Sequence, residues 1–260
     1  MKSVLITGAN GQLGKSIKKI AANYPQLNFV FATSSDLDIT SIESIEKKLF
    51  NESFSYLINC AAYTDVENSE KEPEKAYKVN ADGVRNLVLV CKKQHIVLIH
   101  VSTDYVFDGE KGAPYLVTDV TNPINVYGAS KLKGEQHIEH LMDSYFIVRT
   151  SWLYSEFGKN FYKTIFQKAK EGANLSVIDD QIGSPTHAGN LAEYILNLII
   201  DQSKSYGIHH FTDGEILSWY GFAEKILKEN GLADKVQLEK AKNYRTFARR
   251  PKYSVLERHI

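Results

Sequence analysis

Apolar residues recur along the chain in two rhythms. Short, nearly continuous runs rich in β-branched residues, at Val4–Thr7, Asn28–Ala32, Tyr56–Cys60, Val97–Ser102 and Tyr145–Thr150, predict strands. The longer stretches between them, around Gly14–Asn23, Ser41–Phe50, Glu72–Lys93 and Val126–Met142, carry apolar residues at helical spacing. Strands that read apolar on both faces need helices on both sides, as in a parallel sheet wound by βαβ crossovers. The pattern therefore predicts an α/β fold, with a Rossmann-type doubly wound parallel sheet over residues 1–150. Beyond Thr150 the rhythm loosens: Phe161–Gly172, Gly189–Asp201 and Ser218–Asn230 read as helices and Gly207–Thr212 as a strand. With neither a repeat nor a low-complexity linker in between, residues 151–260 are expected to form a smaller, interleaved α/β domain, and the helix near 187–201 to pack back on the sheet.

Charge changes the picture only locally. The 260 residues hold 31 Lys+Arg against 31 Asp+Glu, a balance without the concentrated positive field that a nucleic acid or an anionic membrane requires. Within that balance, Lys240, Lys242, Arg245, Arg249, Arg250, Lys252 and Arg258 face the single acid Glu257. Cys60 and Cys91, each in an apolar run, read as small core residues of a protein in a reducing compartment rather than as a disulfide or a metal site. The first apolar segment meets glycine too early for a secretory signal, and no run reaches membrane-spanning length. The expectation is an unprocessed cytoplasmic protein.

Gly8-Ala9-Asn10-Gly11-Gln12-Leu13-Gly14 follows a predicted strand and opens a predicted helix. A side chain at such a turn would block a pyrophosphate, whereas helix N-terminal N–H groups stabilise its charge. The spacing is GxxGxxG, so a plain tight turn remains the competing reading. At the end of the second strand, Thr33-Ser34-Ser35-Asp36-Leu37-Asp38 offers two hydroxyls and no acid directly at the strand end, which favours NADPH while allowing NADH.

Tyr127-Gly128-Ala129-Ser130-Lys131 sets a phenol and an ammonium four residues apart on one helical face. A cation beside the phenol is expected to favour phenolate and bring Tyr127 closer to the working pH, the requirement for protonating an alkoxide. Alone, this spacing is equally an aromatic and a solvated lysine on any helix. Ser102-Thr103-Asp104-Tyr105 closes a buried strand, where open α/β sheets keep their ligand groups, and Thr103 can donate to a carbonyl. The order of these features resembles the extended short-chain dehydrogenase/reductase superfamily.

Further segments narrow the resemblance: Asn59-Cys60-Ala61-Ala62-Tyr63-Thr64-Asp65-Val66-Glu67, Ser102 to Gly109, Asn125 to Lys131, Arg149-Thr150-Ser151-Trp152-Leu153-Tyr154, Asp180 to Thr186, and Ala248-Arg249-Arg250-Pro251. Together they resemble the dTDP-4-dehydrorhamnose reductase family over nearly the whole chain. The resemblance implies NAD(P)H-dependent reduction of the C4 ketone of dTDP-4-dehydro-β-L-rhamnose to dTDP-L-rhamnose, for cell-surface polysaccharide. It implies a catalytic set of Tyr127 as proton donor, Lys131 on the nicotinamide ribose and Thr103 on the carbonyl. Gly8, Gly11, Gln12, Leu13 and Gly14 would line the pyrophosphate, Asp38 and Ile39 the adenine side, and Ala61, Ala62 and Tyr63 the far ribose. Val66, Glu67, Thr103, Asp104 and Trp152 would meet the sugar nucleotide, Trp152 by stacking its indole on the deoxysugar, with residues 151–260 as mainly the substrate domain. Arg249 and Arg250 could grip its pyrophosphate. Asn80 stands where related reductases keep an Asn supporting the proton relay, or simply satisfies buried backbone groups.

Family members can be homodimers with a metal at the interface, so Mg2+ and a homodimer enter as implications of the resemblance alone; no His/Asp/Glu cluster commits to a metal. A 4,6-dehydratase would carry Asp-Glu after the strand-end Thr, whereas Asp104 is followed by Tyr105. A non-catalytic NADP-binding regulator, like that of methionine adenosyltransferase, is the other alternative, against which the intact Thr103–Tyr127–Lys131 set argues. The family usually continues past its Arg-Arg-Pro segment into a last helix, and a chain ending nine residues beyond Pro251 is expected to lack it.

Overall fold

The computed structural model describes residues 1–50, 52–241 and 246–258. Strands in chain order are β1 (Lys2–Thr7), β2 (Leu27–Phe31), β3 (Tyr56–Asn59), β4 (Val97–Thr103), β5 (Tyr145–Thr150), β6 (Leu153–Tyr154), β7 (Leu175–Val177), β8 (Ile182–Gly183), β9 (Thr186–His187), β10 (Gly207–His210), β11 (Leu217–Ser218) and β12 (Leu238–Lys240). Helices are α1 (Gln12–Ile20), α2 (Ile42–Phe50), α3 (Val66–Lys71), α4 (Pro73–Tyr77), α5 (Gly83–Gln94), α6 (Val126–Leu141), α7 (Phe161–Lys170), α8 (Ala188–Ile200) and α9 (Trp219–Glu229).

Six strands form one parallel sheet in the order β2-β1-β3-β4-β5-β10. Neighbouring residues of each strand feed opposite cores. Leu5, Leu57, Leu98 and Ile147 pack with Ile45, Leu49, Leu87 and Val88 on one face. Val4, Ile6, Ile58, Ile99, Phe146 and Val148 pack with Ile17, Leu191 and Ile195 on the other. This is why the strands read as unbroken apolar runs: both faces bury, and the expected Rossmann-type α/β sheet is what the chain forms. Helix α8 lies in the second of these cores, against α1.

The predicted helix over Glu72–Lys93 runs from Pro73 to Gln94 with helical backbone throughout, interrupted only in its hydrogen-bond pattern. Asp65 caps α3 by accepting from the Asn68 N–H, Pro73 starts α4, and a wide π-helical turn over Lys78–Asp82 precedes α5. Proline has no N–H to continue α3, so the chain restarts there. The π turn carries Asn80 towards α6, where Gly134 admits it: a β-carbon there would lie 2.2 Å from the Asn80 carbonyl oxygen.

After β5 the chain builds a second lobe on short pairings: β6 with β9, β8 with β11, and β7 with β12. Its core joins Ile165 and Ala169 of α7 to Phe222, Ala223, Ile226 and Leu227 of α9. The C-terminal segment returns to the sheet side, where the Tyr115 N–H donates to Val255 O and Leu256 packs on Val106 and Phe107.

Candidate active site

β1 sits between β2 and β3 although it precedes both, so the connections diverge at its C-terminal end and open a crevice there. Gly8, with φ +63°, turns the chain at that point, and a β-carbon on it would stand 2.7 Å from Ala61 N and Cys60 C. Gly11 is the N-cap of α1 and offers no side chain to its first turn, leaving those N–H groups for an anion. Gly14 plays a different part: a β-carbon there would strike Ala9 Cα at 2.7 Å, so this glycine serves the packing of turn on helix.

Two cavities flank this turn. One, of about 330 Å3, is lined by Gly8, Gly11, Thr33, Ser34, Asp38, Ile39, Ala61 and Ala62 among others. The second, of about 550 Å3, gathers Gly11, Gln12, Leu13, Ala62, Thr103, Asp104, Tyr127, Lys131 and Trp152. They share Asn10, Gly11, Cys60 and Ala62 and so make one groove across the switch point. The second cavity also takes in Lys159, Asn160, Phe161 and Trp219 from the second lobe, which sequence reasoning did not single out. Gln12 joins the two sides, its amide oxygen accepting from Ser155 Oγ at 3.2 Å and Asn160 Nδ2 at 2.8 Å. At the first cavity, Asp38 accepts from the Thr40 N–H and hydroxyl, while Asp36 is held by Thr33.

The chemistry-bearing side chains converge on the second cavity from the end of β4, the turn that follows it, and α6. Thr103 ends β4; its hydroxyl accepts from the Tyr105 N–H at 3.2 Å and donates to Asp104 Oδ1 at 3.1 Å. Tyr127 and Lys131 come from α6, capped by Asn125, which accepts from the Gly128 N–H at 2.7 Å. Gly128 lets this helix start approach so closely that a β-carbon would lie 2.1 Å from Tyr105 O. Burial pushes the Asp104 carboxyl up to about 7 against hydrogen bonds from Ser254 and Thr103, and its Oδ2 has no partner.

The expectation for Tyr127 is corrected. Burial drives its phenol up to about 12; the Thr103 hydroxyl opposes this, and the Asp104 charge adds to it. Lys131 is not among the groups that shift the phenol; its Nζ donates to Val101 O at 2.7 Å and meets His100 Nε2 at 3.2 Å. Burial lowers Lys131 itself to about 8, opposed by Glu135 and Cys60. His100, fully buried in β4, was missed by sequence reasoning, although a lone ionisable residue inside an apolar strand was the available signal. Asn80 uses its amide on the Tyr63 N–H, Tyr63 O and Ser130 Oγ, fastening the loop after β3 to α6.

Tyr63, Val66, Glu67 and Arg250 do not line either cavity. Arg250 donates to Glu67 Oε1 at 3.0 Å, and Glu67 Oε2 accepts from the Phe247 and Ala248 N–H groups. Burial would raise Glu67, but these donors outweigh it and hold the carboxyl below its usual range. The pair connects to the site through Tyr105, which meets Tyr127 edge-on at 5.9 Å and whose phenol is perturbed by both charges. The basic tail disperses: Lys240 pairs with Asp179 at 2.5 Å, Arg258 lies over Phe211, and Arg249 and Lys252 are exposed. Lys242 and Arg245 lie outside the described residues.

Trp152 requires a second correction. Its indole stacks on Trp219, centroids 3.6 Å apart and planes 6° from parallel. On the opposite face sits Gly183, where a β-carbon would be 2.5–2.8 Å from indole Cε2, Nε1 and Cζ2, nearly equidistant and hence above the ring. With both faces covered, Trp152 presents an edge to the cavity rather than a stacking surface. Among the described residues no group of His, Cys, Asp and Glu could hold a metal ion, and no helix is long and apolar enough to cross a membrane.

Residues 1–259 match the family described as RmlD substrate binding domain. A dTDP-4-dehydrorhamnose reductase of Aggregatibacter actinomycetemcomitans is 39% identical, with 99% of this chain and 91% of that protein aligned. A dTDP-4-keto-6-deoxy-D-glucose reductase of Streptomyces niveus is 36% identical over 97% of this chain and 87% of its own. The crystal structure of dTDP-4-dehydrorhamnose reductase from Bacillus anthracis in complex with NADP superposes with a TM-score of 0.94 at 40% identity, covering 100% of this chain and 92% of that one. The chain therefore belongs to the RmlD family, that of the dTDP-4-dehydrorhamnose reductases.

Proposed function

We propose that the chain reduces the C4 ketone of dTDP-4-dehydro-β-L-rhamnose to the alcohol of dTDP-L-rhamnose, with NADPH preferred over NADH. The observation that carries this reading is the convergence of Thr103, Tyr127 and Lys131 on a cavity continuous with the uncapped start of α1. Gly11, Gln12 and Leu13 would hold the pyrophosphate, and Asp38, Ile39, Ala61 and Ala62 the adenosine end. Residues 1–150 then carry the dinucleotide and residues 151–260 mainly the sugar nucleotide. Thr33 and Ser34 at the first cavity, without an unengaged carboxylate on them, support NADPH. The two unpaired thiols support a cytoplasmic setting.

Bound there, the reduced nicotinamide supplies the hydride. The chain's part is to polarise the carbonyl through the Thr103 hydroxyl and to deliver a proton from Tyr127 to the oxygen that becomes an alkoxide. With its phenol pushed up to about 12, Tyr127 is fully protonated in the neutral range, the form a general acid must start from. The purified protein should oxidise NADPH when given the 4-keto sugar nucleotide. Tyr127→Phe should lower kcat by roughly 10²–10⁴-fold with cofactor affinity retained. Absence of wild-type turnover, or equal turnover by the variant, refutes the assignment.

A further inference from the structure

The contact of Lys131 with His100 belongs to a buried chain that fixes where protons sit. Asn59 Oδ1 accepts from the Thr7 hydroxyl at 2.6 Å and the Ala61 N–H at 3.2 Å. A backbone N–H can only donate, so the amide oxygen is pinned on that side and Nδ2 faces His100 Nδ1 at 3.0 Å. Nδ2 also only donates, so Nδ1 must be the ring's acceptor and carry no proton. The proton of a neutral imidazole then resides on Nε2, which points at Lys131 Nζ, 3.2 Å away.

An N–H facing Nζ suits an amine, which has a lone pair, and opposes an ammonium, which has none. We propose that His100 is a positioning residue that sets the charge of Lys131, its Nε2–H favouring the neutral amine and bringing the lysine's titration into the working range. The inference rests on the reductase reading, in which Tyr127 loses a proton at each turnover. The ammonium and the amine of Lys131 differ by one proton inside the cavity that Tyr127 also lines, and the electron pair of the amine accepts from His100 Nε2–H.

The surroundings fit this balance. Glu135 on α6 favours the ammonium but is itself paired with Arg149 of β5. Cys60, at the end of β3, is a neutral thiol pushed up to about 12 by burial. Asp104, Tyr127, Tyr154 and Lys159 are the other titratable groups that line the cavity. Burial, and then Lys131, hold His100 well below its ordinary value, so the ring is neutral.

Two-bond 1H–15N spectra of the full chain with labelled histidine read the tautomer without any ligand. The expected result at pH 7 is a neutral Nε2–H ring, assigned by its disappearance in His100→Gln; an Nδ1–H ring or an imidazolium overturns the proposal. In the pH profile of kcat, His100→Gln can turn an amide oxygen to Nζ and should raise the midpoint of the Lys131 limb by about one pH unit. A uniform fall in kcat with the midpoint unmoved marks a merely structural histidine and also overturns it. A wild-type chain that fails to reduce the sugar nucleotide would remove the reductase reading, while the tautomer would still decide the role of His100.

Discussion

Beneath the groove, Arg149 on β5 donates from Nε and Nη2 to Glu135 on α6, the shortest contact being 2.6 Å, and both side chains are at most 2% exposed. At the rim, Arg250 meets Glu67 at 3.0 Å with side chains 23% and 36% exposed. The interior pair is forked, through Nε and Nη2, and the outer pair is a single Nη2 contact, so they differ in geometry as well as in surroundings. A buried pair is weak net stabilisation but strong obligation, since removal of either partner strands a charge in low dielectric. A rim pair is screened and loses little when broken. The interior pair therefore ties β5 to α6 at high cost if broken, while the outer pair can part at little cost.

Glu135→Ala is the severest test of the interior half. It leaves the Arg149 guanidinium over Phe107 with no carboxylate, and Nη1 already lacks a partner. Unfolding free energy should fall by about 3–5 kcal/mol in chemical denaturation. A loss below about 1 kcal/mol would erase the distinction between the two pairs.

Asp104 tests the same interior through pH. Its folded value of about 7 lies above the ordinary 3.8, so between about pH 4 and pH 7 the folded state binds more protons than the unfolded one. Stability from this group is present at low pH and is lost as pH rises through that window, by roughly 4 kcal/mol at the upper limit. Asp104→Asn removes the dependence and should look more favourable, relative to wild type, at pH 8 than at pH 5. The opposite sign would mean that Asp104 is held ionised.

The interior half was also the more legible in sequence. Leu5, Leu57, Leu98 and Ile147, alternating with Val4, Ile58, Ile99 and Phe146, announce a sheet covered on both faces, and the strand ends then place Thr103 and the glycine turn. The second lobe gave little warning, because strands such as Leu153–Tyr154 and Ile182–Gly183 are too short to show a period and exist only through distant partners. Trp152 illustrates the limit: its stacking partner, Trp219, is 67 residues away, so an indole read as a sugar platform is a packed one. His100 and Asn59 were hidden for a related reason, since the proton on the ring depends on Asn59 of β3, whose amide is in turn oriented by Thr7 of β1.

Gly183→Ala probes the boundary between the halves. Its methyl would press onto the indole face at 2.5–2.8 Å, and Trp219 on the other side prevents retreat. Overpacking of this kind costs about 1–3 kcal/mol, and because Trp152 lines the cavity, KM for the sugar nucleotide should rise along with the loss of thermal stability. Unchanged stability and KM would mean that the Trp152–Trp219 stack slides freely.

Arg250→Ala should have the smallest effect on stability, about 0–1 kcal/mol, since Glu67 keeps the Phe247 and Ala248 N–H donors when the guanidinium is gone. Its effect on the ligand separates two roles. If Arg250 leaves Glu67 to meet the pyrophosphate of the sugar nucleotide, KM rises while kcat holds, because the contact is uniform across the reaction. If the pair only anchors the C-terminal segment to α3, Glu67→Gln and Arg250→Ala should produce the same small stability loss and leave KM alone. Divergence in KM between these two variants, with matched stability, is the result that makes the rim a recognition element rather than a clasp.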